Sequence, residues 1–556
     1  MKFSSKPLSQ TVSQLCLAKE ATHIVISPGS RNAPLTIGFT EHPEFTCYSI
    51  VDERCAAFFA LGLAQQLQKP VAVVCTSGSA LLNYFPAVAE AYYSDIPLVV
   101  LSADRPPHLL EIGDGQTIQQ ENVYGKHILY AANCKEGEKH QIYNETEINI
   151  ALNTAIELSG PVHINLPFSE PLYHTVEDLS VRPQHVPARK LDKEQIATGE
   201  FKNLVETWNS SAKKMVLIGV LQPNSISEKQ IQVLAEDKSV LVLTETTSNL
   251  HHPNFIPAID QLISSLDKTE MEALRPDVLL TFGGMVVSKR IKAFLRKFKP
   301  QTHWHVDPKK AYDTFFALEH HSKTNPDFFL QKLYSECLPV ESDYQQKWLS
   351  VRKHRVGQHA VYTNKAPFSD FKVFAQIFEM LPNNIQLQLA NSATVRYAQL
   401  FDLDPSFQVY CNRGTSGIDG STSTAIGAAV ASTKQTVFLT GDLSFLYDSN
   451  ALWNEHIPSS FRIVIVNNSG GGIFRILPGD KNGEAFQQYF ETKHQLTAEH
   501  LCKMYSLEYV SVTSETGLVA ALKTFFNNSG KPKVLEVFTP SNINDEVLLE
   551  YFNYIR

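Results

Sequence analysis

The chain has 556 residues, 43% of them apolar and 19% charged, with a formal net charge of −8. That length exceeds a single hydrophobic core and predicts roughly two to four domains. The acidic balance excludes a protein that holds nucleic acid through a broad positive field. Eight cysteines are scattered without a CxxC pair, a pattern that suits reduced thiols in a cytosol better than a disulfide framework or a zinc site. The first residues, MKFSSKPLSQTVSQ, carry no apolar signal-type stretch, and no apolar run is long enough to predict a membrane span. A cytoplasmic protein is expected.

Taken in order, residues 1–185 alternate strand-like and helix-like segments: HIVISPGSR from His23, a helix from Glu53, VAVVCTSG at 71–78, PLVVLSADRP, and a strand at 161–166. Such alternation predicts a doubly wound parallel sheet. Between His174 and Gly199 the chain turns polar and proline-bearing, as a linker would. Residues 200–345 form a middle α/β domain, with strands expected at Met215, Ser239, Pro276 and His303. It lacks a convincing GxGxxG, so no flavin or nicotinamide is assigned to it. The polar, helix-prone stretch 320–363 reads as a second connection, and a third α/β domain occupies 365–556. The first and third domains share a Gly/Ala pattern: Gly62-Leu63-Ala64 precedes Gly78 much as Gly427-Ala428-Ala429 precedes Gly441. The spacing from Gly78 to Asp104 also matches that from Asp442 to Asn468, which suggests duplication.

The most informative stretch is 436–474. An apolar strand ends in Gly441-Asp442, a helical crossover follows, and a second buried strand ends in Asn467-Asn468 before Gly470, Gly471 and Gly472. In a parallel sheet this places Asp442 and Asn468 at the strand ends where open α/β sheets bind ligands. A carboxylate, an amide oxygen and a main-chain oxygen beside glycines suit Mg²⁺ carrying a diphosphate. The competing reading is an acid capping a helix and asparagines in a turn. The pattern resembles the thiamin diphosphate fingerprint, with Leu443 where glycine is usual. The resemblance implies thiamin diphosphate as cofactor, with Asp442, Asn468 and the Gly470 carbonyl holding Mg²⁺ (Mn²⁺ being possible), and Gly441 and Ser392 beside the cofactor. It makes Glu53 the carboxyl group that bonds the pyrimidine ring and promotes loss of the thiazolium C2 proton. Ile418 becomes the apolar wedge under the bent cofactor.

Further motifs narrow the resemblance. Ser27-Pro28-Gly29-Ser30-Arg31-Asn32, Val51-Asp52-Glu53-Arg54, Ser102-Ala103-Asp104-Arg105-Pro106-Pro107 and Asn412-Arg413-Gly414-Thr415-Ser416-Gly417-Ile418-Asp419-Gly420 occur together with the 467–474 loop. In this order the chain resembles the 2-succinyl-5-enolpyruvyl-6-hydroxy-3-cyclohexene-1-carboxylate (SEPHCHC) synthases of menaquinone biosynthesis. That family implies three doubly wound domains (pyrimidine-binding, middle, diphosphate-binding). It implies decarboxylation of 2-oxoglutarate, 1,4-addition of the succinyl-semialdehyde unit to isochorismate, and a homodimer or dimer of dimers with sites between subunits. Both substrates are dianions, which guanidinium forks suit. The motif-matched residues are Arg31, Arg105, Gln116, Lys289, Arg290, Arg396 and Arg413, with Ser392, Ile473, Phe474 and Leu477 lining the pocket. Two departures stand out: Gly115 precedes Gln116 where the family has Asn, and Asn32 replaces a common Ser. The alternatives are another thiamin diphosphate 2-oxoacid decarboxylase or carboligase of acetolactate-synthase type, and a non-catalytic binding protein on a decayed version of the fold. The first would need fewer arginines, and a decarboxylase usually carries a His-His pair in its first domain; here His251-His252 and His320-His321 lie elsewhere.

Overall fold

The computed structural model describes residues 2–189, 195–196, 198–476, 481 and 483–556. Continuous aliphatic runs build the central strands. Val71–Cys75 and Leu98–Asp104 are buried along their whole length, as parallel strands covered by helices on both faces must be.

The first sheet contains β1 (His23–Ile26), β2 (Thr46–Ser49), β3 (Val71–Cys75), β4 (Leu98–Asp104), β5 (Tyr130–Asn133) and β6 (Val162–Pro167). They lie in the order β2-β1-β3-β4-β6-β5, every neighbouring pair parallel. The middle sheet comprises β7 (Lys214–Ile218), β8 (Val240–Leu243), β9 (Phe255–Ile256), β10 (Val278–Phe282), β11 (Thr302–Val306) and β12 (Leu318–Ser322), in the order β9-β8-β7-β10-β11-β12. The third holds β13 (Gln386–Leu389), β14 (Gln408–Cys411), β15 (Thr436–Gly441), β16 (Arg462–Asn467), β17 (Glu508–Val512) and β18 (Lys533–Phe538), in the order β14-β13-β15-β16-β18-β17. The third sheet repeats the strand order of the first, position for position, and the middle sheet has its own. All three are parallel throughout.

The stretch 320–363 is more than a connection. It contributes to strand β12 and includes the helix Pro326–Glu336, whose Phe329, Leu330 and Leu333 enter the middle core. The helix Tyr344–Lys365 then joins two cores, burying Trp348 in the middle domain and Tyr362 in the third.

Six helices position the site: α1 (Glu53–Leu67), α2 (Phe85–Ser94), α3 (Lys289–Lys297), α4 (Asp370–Met380), α5 (Ser421–Val430) and α6 (Asp442–Tyr447). Helices α1 and α5 cross at paired glycines. A Cβ on Gly62 would lie 2.1 Å from the Thr424 carbonyl oxygen, and one on Gly427 would lie 2.0 Å from that of Phe59. Only glycine permits this approach, and it merges the cores of the first and third domains into one cluster containing Phe58, Phe59, Ala425 and Ile426.

Candidate active site

Strand β15 delivers Asp442 to the first position of α6, and β16 delivers Asn468 to the loop opposite. Asp442 is 4% exposed. Its Oδ2 accepts a hydrogen bond from the Gly470 main-chain N–H at 2.9 Å, and its Oδ1 accepts one from Leu443 N–H at 2.7 Å. The loop adopts a backbone that glycine makes possible: Gly470 has φ +150°, and a Cβ there would fall 2.5 Å from the Glu491 carbonyl oxygen. Ser469 and Ser392 sit at strand ends with φ +64° and +70°, the left-handed region that costs non-glycine residues energy and concentrates at functional sites.

Asn468 donates through Nδ2 to Asp370 Oδ2 at 2.8 Å, and its Oδ1 is buried without a hydrogen-bond partner. His494 Nε2 lies 3.2 Å from Asp442 Oδ2, and the closeness of that carboxylate raises the imidazole pKa. Burial pushes the Asp370 carboxyl up to about 6, against the hydrogen bonds from Thr539 and Asn468. Among the described residues no group of three His, Cys, Asp or Glu side chains gathers for a metal. A cation here would rest on one carboxylate, the orphaned amide oxygen and a main-chain carbonyl, leaving positions for phosphate and water, as Mg²⁺ prefers. An added Cβ at Gly441 would meet open space, which leaves room for a diphosphate at the start of α6. The residues present therefore fit a Mg²⁺-diphosphate group.

Ile418 is half-buried, and its carbonyl accepts a bond from Ser444 Oγ on α6 at 3.3 Å. Ile473 and Phe474 lie half-buried in the turn after the glycines. That turn is held by the Arg475–Glu491 ion pair and by a bond from Gly471 N–H to the Glu491 carbonyl. Leu477 lies outside the described residues.

The cations form two groups. Arg31, 6% exposed, donates through Nη1 to the Phe168 carbonyl at 2.8 Å and lies 3.3 Å from Glu170. Burial, then the neighbouring Arg105 charge, lower its pKa. Arg105 reaches the Gly115 carbonyl at 3.1 Å, and Gln116 follows with φ +56°. All three lie in loops beyond the carboxyl ends of first-domain strands, Arg31 after β1 and Arg105 and Gln116 after β4.

The second group lies between the middle and third domains. Arg413 is 9% exposed and donates through Nη1 to Asn391 Oδ1 at 2.7 Å, while its Nε has no partner. Arg396, bonded to the Ser392 carbonyl at 2.5 Å, has its pKa lowered by burial and then by Arg413. Arg290 lies 4.0 Å from Asp260 and packs over the Phe552 ring. Lys289, which opens α3, is exposed and stays outside this group.

Sequence reasoning missed three residues here. Lys292 is half-buried, and its pKa is lowered by burial against the opposing pull of Glu245. Glu245, at the end of β8, accepts bonds from Val287 and Ser288 N–H, and burial pushes its pKa up to about 7. Glu90 on α2, 1% exposed, accepts from Gly414 N–H, Thr415 N–H and Thr415 Oγ1 at 2.6–2.8 Å, clamping the loop that carries Arg413. Position at a strand end could have flagged Glu245; nothing local distinguishes Glu90 from a surface helix acid. Arg413 and Lys292 also line a cavity of about 460 Å³ where the three domains meet, and Asp442 and Asn468 are not part of its wall.

Glu53 is half-buried at the start of α1, and within the chain its carboxylate accepts no hydrogen bond and joins no ion pair among the described residues. Its neighbours are tied to the far end of α6. Asp52 Oδ2 accepts from Asn450 Nδ2 at 2.8 Å, Arg54 donates to the Tyr447 carbonyl at 3.0 Å, and Cys55 Sγ donates to Asp448 at 3.6 Å. Because α6 has six residues, about 9 Å of helix separates these contacts from Asp442.

The geometry agrees with what the chain is similar to. Residues 7–127 match the family described as thiamine pyrophosphate enzyme, N-terminal TPP binding domain; 189–389 match the middle domain of thiamine pyrophosphate enzymes; and 391–537 match the C-terminal TPP binding domain. The chain is 54% identical to the SEPHCHC synthase of Christiangramia forsetii, over 100% of both chains, and 55% identical to that of Flavobacterium johnsoniae, over 99% of both. Among solved structures, the thiamine diphosphate-dependent 4-hydroxybenzoylformate decarboxylase of Rhodococcus jostii superimposes with TM-score 0.71 at 18% identity, covering 96% of this chain and 99% of that one. That likeness carries the fold.

Proposed function

The chain belongs to the thiamin diphosphate enzymes and, within them, to the SEPHCHC synthase family, and from that premise we propose its substrates and the roles of its residues. It decarboxylates 2-oxoglutarate and joins the remaining four-carbon unit to isochorismate by 1,4-addition, in menaquinone biosynthesis. The observation that carries this reading is the pair of cation groups, Arg31 with Arg105 and Arg290 with Arg396 and Arg413. Arg31, Arg105 and Arg290 have carboxylate neighbours within the chain, whereas Arg396 and Arg413 join no ion pair among the described residues, more free charge than a small monoanionic 2-oxoacid would match.

Thiamin diphosphate, when bound, supplies a nucleophilic carbon and an electron sink for loss of carbon dioxide. Asp442, Asn468 and the Gly470 carbonyl would hold Mg²⁺ against the diphosphate, with Gly441 and Ser392 beside it. Glu53 would share a proton with the pyrimidine ring, the role for which its unpartnered carboxylate is suited. Arg396 and Arg413 would orient 2-oxoglutarate through its carboxylates, and Arg31, Arg105 and Gln116 would receive isochorismate. Ile418, Ile473 and Phe474 give the site apolar walls that keep water from the reacting centre. Lys289 would join only through a movement of α3.

The working units are 1–185, 200–345 and 365–556, in a cytoplasmic homodimer or dimer of dimers whose sites form between subunits. In one chain the residues flanking Glu53 are bonded at the end of α6 away from the metal loop, which favours service to a second chain. Incubation with 2-oxoglutarate, isochorismate, thiamin diphosphate and Mg²⁺ should give a product whose mass equals both substrates less carbon dioxide. Release of free succinic semialdehyde without that adduct would refute the assignment.

A further inference from the structure

Asn468 can serve a cation only through its oxygen, and an amide can turn either end toward the site. Something must select the orientation. The selecting group is Asp370, the first residue of α4, 3% exposed and remote in sequence. Its Oδ2 lies 2.8 Å from Asn468 Nδ2. An ionised carboxylate only accepts, so the amide must turn its NH₂ toward Asp370. The Asn468 oxygen is thereby directed away, where it is buried and unpaired. Turning the amide over would set two oxygens against each other and offer N–H groups to the metal.

Asp370 is itself fixed from two further segments. Its Oδ1 accepts from Thr539 Oγ1 at 2.6 Å, beyond the end of β18, and its main-chain N–H donates to Asn544 Oδ1 at 2.8 Å. A residue held on three sides is not free to follow the amide if it rotates.

We infer that Asp370 is a positioning residue for the metal site: it locks the Asn468 carboxamide with its oxygen toward the cation. The inference rests on the reading of Asp442, Asn468 and Gly470 as metal ligands. Groups of this kind behind a metal ligand typically change affinity by about 10–100-fold when removed.

The test is Mn²⁺ binding to the full-length protein with saturating thiamin diphosphate, read from the electron paramagnetic resonance signal of free Mn²⁺. Asp370→Ala should weaken Mn²⁺ binding about tenfold or more. Asp370→Asn, which can still turn an oxygen to Asn468 and donate to the Thr539 hydroxyl, should keep most of the affinity. The decisive variant is Asp370→Ala combined with Asn468→Asp. A carboxylate presents oxygen whichever way it turns, so affinity should return toward the parent value, which repair of a merely structural defect would not do. Should the alanine variant fail to fold, Asp370→Ser keeps a hydroxyl for Thr539 but is too short to reach Asn468, and carries the same expectation. Parent-like Mn²⁺ binding by Asp370→Ala or Asp370→Ser, or no recovery in the double variant, overturns the inference. Asp442→Ala separates the two levels: if it binds Mn²⁺ like the parent, the metal-site reading itself is wrong.

Discussion

Replacing Arg413 by alanine probes how this fold selects a dianion. Arg413 is almost fully buried and uses one of its five N–H donors on Asn391, so most of its fork is free for a carboxylate. Truncating one partner of a desolvated charge pair costs about 2–5 kcal/mol, or about 30-fold to about 5,000-fold in kcat/KM at 1.36 kcal/mol per tenfold. Arg396 is close enough to perturb Arg413 electrostatically and remains in the variant. Its charge offsets part of the loss and places the expectation in the lower half of the range, about 100-fold. The assay compares decarboxylation of 2-oxoglutarate with that of 2-oxopentanoate, in which a methyl group replaces the distal carboxylate. Arg413→Ala should lose its factor on 2-oxoglutarate alone and leave 2-oxopentanoate nearly unchanged, with thiamin diphosphate affinity as in the parent. An equal loss on both substrates would show that Arg413 does not read the distal carboxylate.

Gly427→Ala places a methyl group 2.0 Å from the Phe59 carbonyl oxygen, so α1 and α5 must separate. We expect a loss of about 1–3 kcal/mol from overpacking, seen as a lower thermal midpoint, whereas Gly530→Ala, with nothing within 4 Å, should cost little. Burial pushes the Asp448 carboxyl up to about 7, against bonds from Ser423 and the Arg54 charge, while unfolded it titrates near 3.9. Its contribution to stability is complete below about pH 4 and is lost as pH rises through about 7. Asp448→Asn does not titrate, so its thermal midpoint relative to the parent should rise between about pH 5 and about pH 8; a constant or falling difference would contradict the assignment.

Central strands such as Val71–Cys75 and Leu98–Asp104 were legible because burial on both faces demands uninterrupted apolar residues. The edge strands Thr46–Ser49, Tyr130–Asn133 and Leu318–Ser322 were not. They are partly exposed and polar, and tertiary pairing rather than local pattern makes them strands. The repeat between Gly62 and Gly427 was legible, but its meaning as a helix crossing was not, since it depends on which backbones meet. At the site, Asp442, Asn468 and Gly470 share one βαβ unit, and their spacing is what suggests a metal site. Asp370, Glu90, Glu245 and His494 arrive from distant segments, and each looks locally like an ordinary helix or loop residue. Lys289 is the opposite case: the motif singled it out, and it stands exposed beside the cluster that Lys292 joins.

The central claim is that Glu53 and the Asp442 loop act in one site built from two chains. Glu53→Gln and Asp442→Ala should each abolish turnover when alone. In a mixed dimer of the two, an isologous interface pairs one doubly altered site with one intact site. The purified mixed dimer should therefore recover roughly half of parent activity if the sites act independently. Activity of that dimer no higher than either variant alone would place Glu53 and the metal loop of one chain in the same site, contrary to this account.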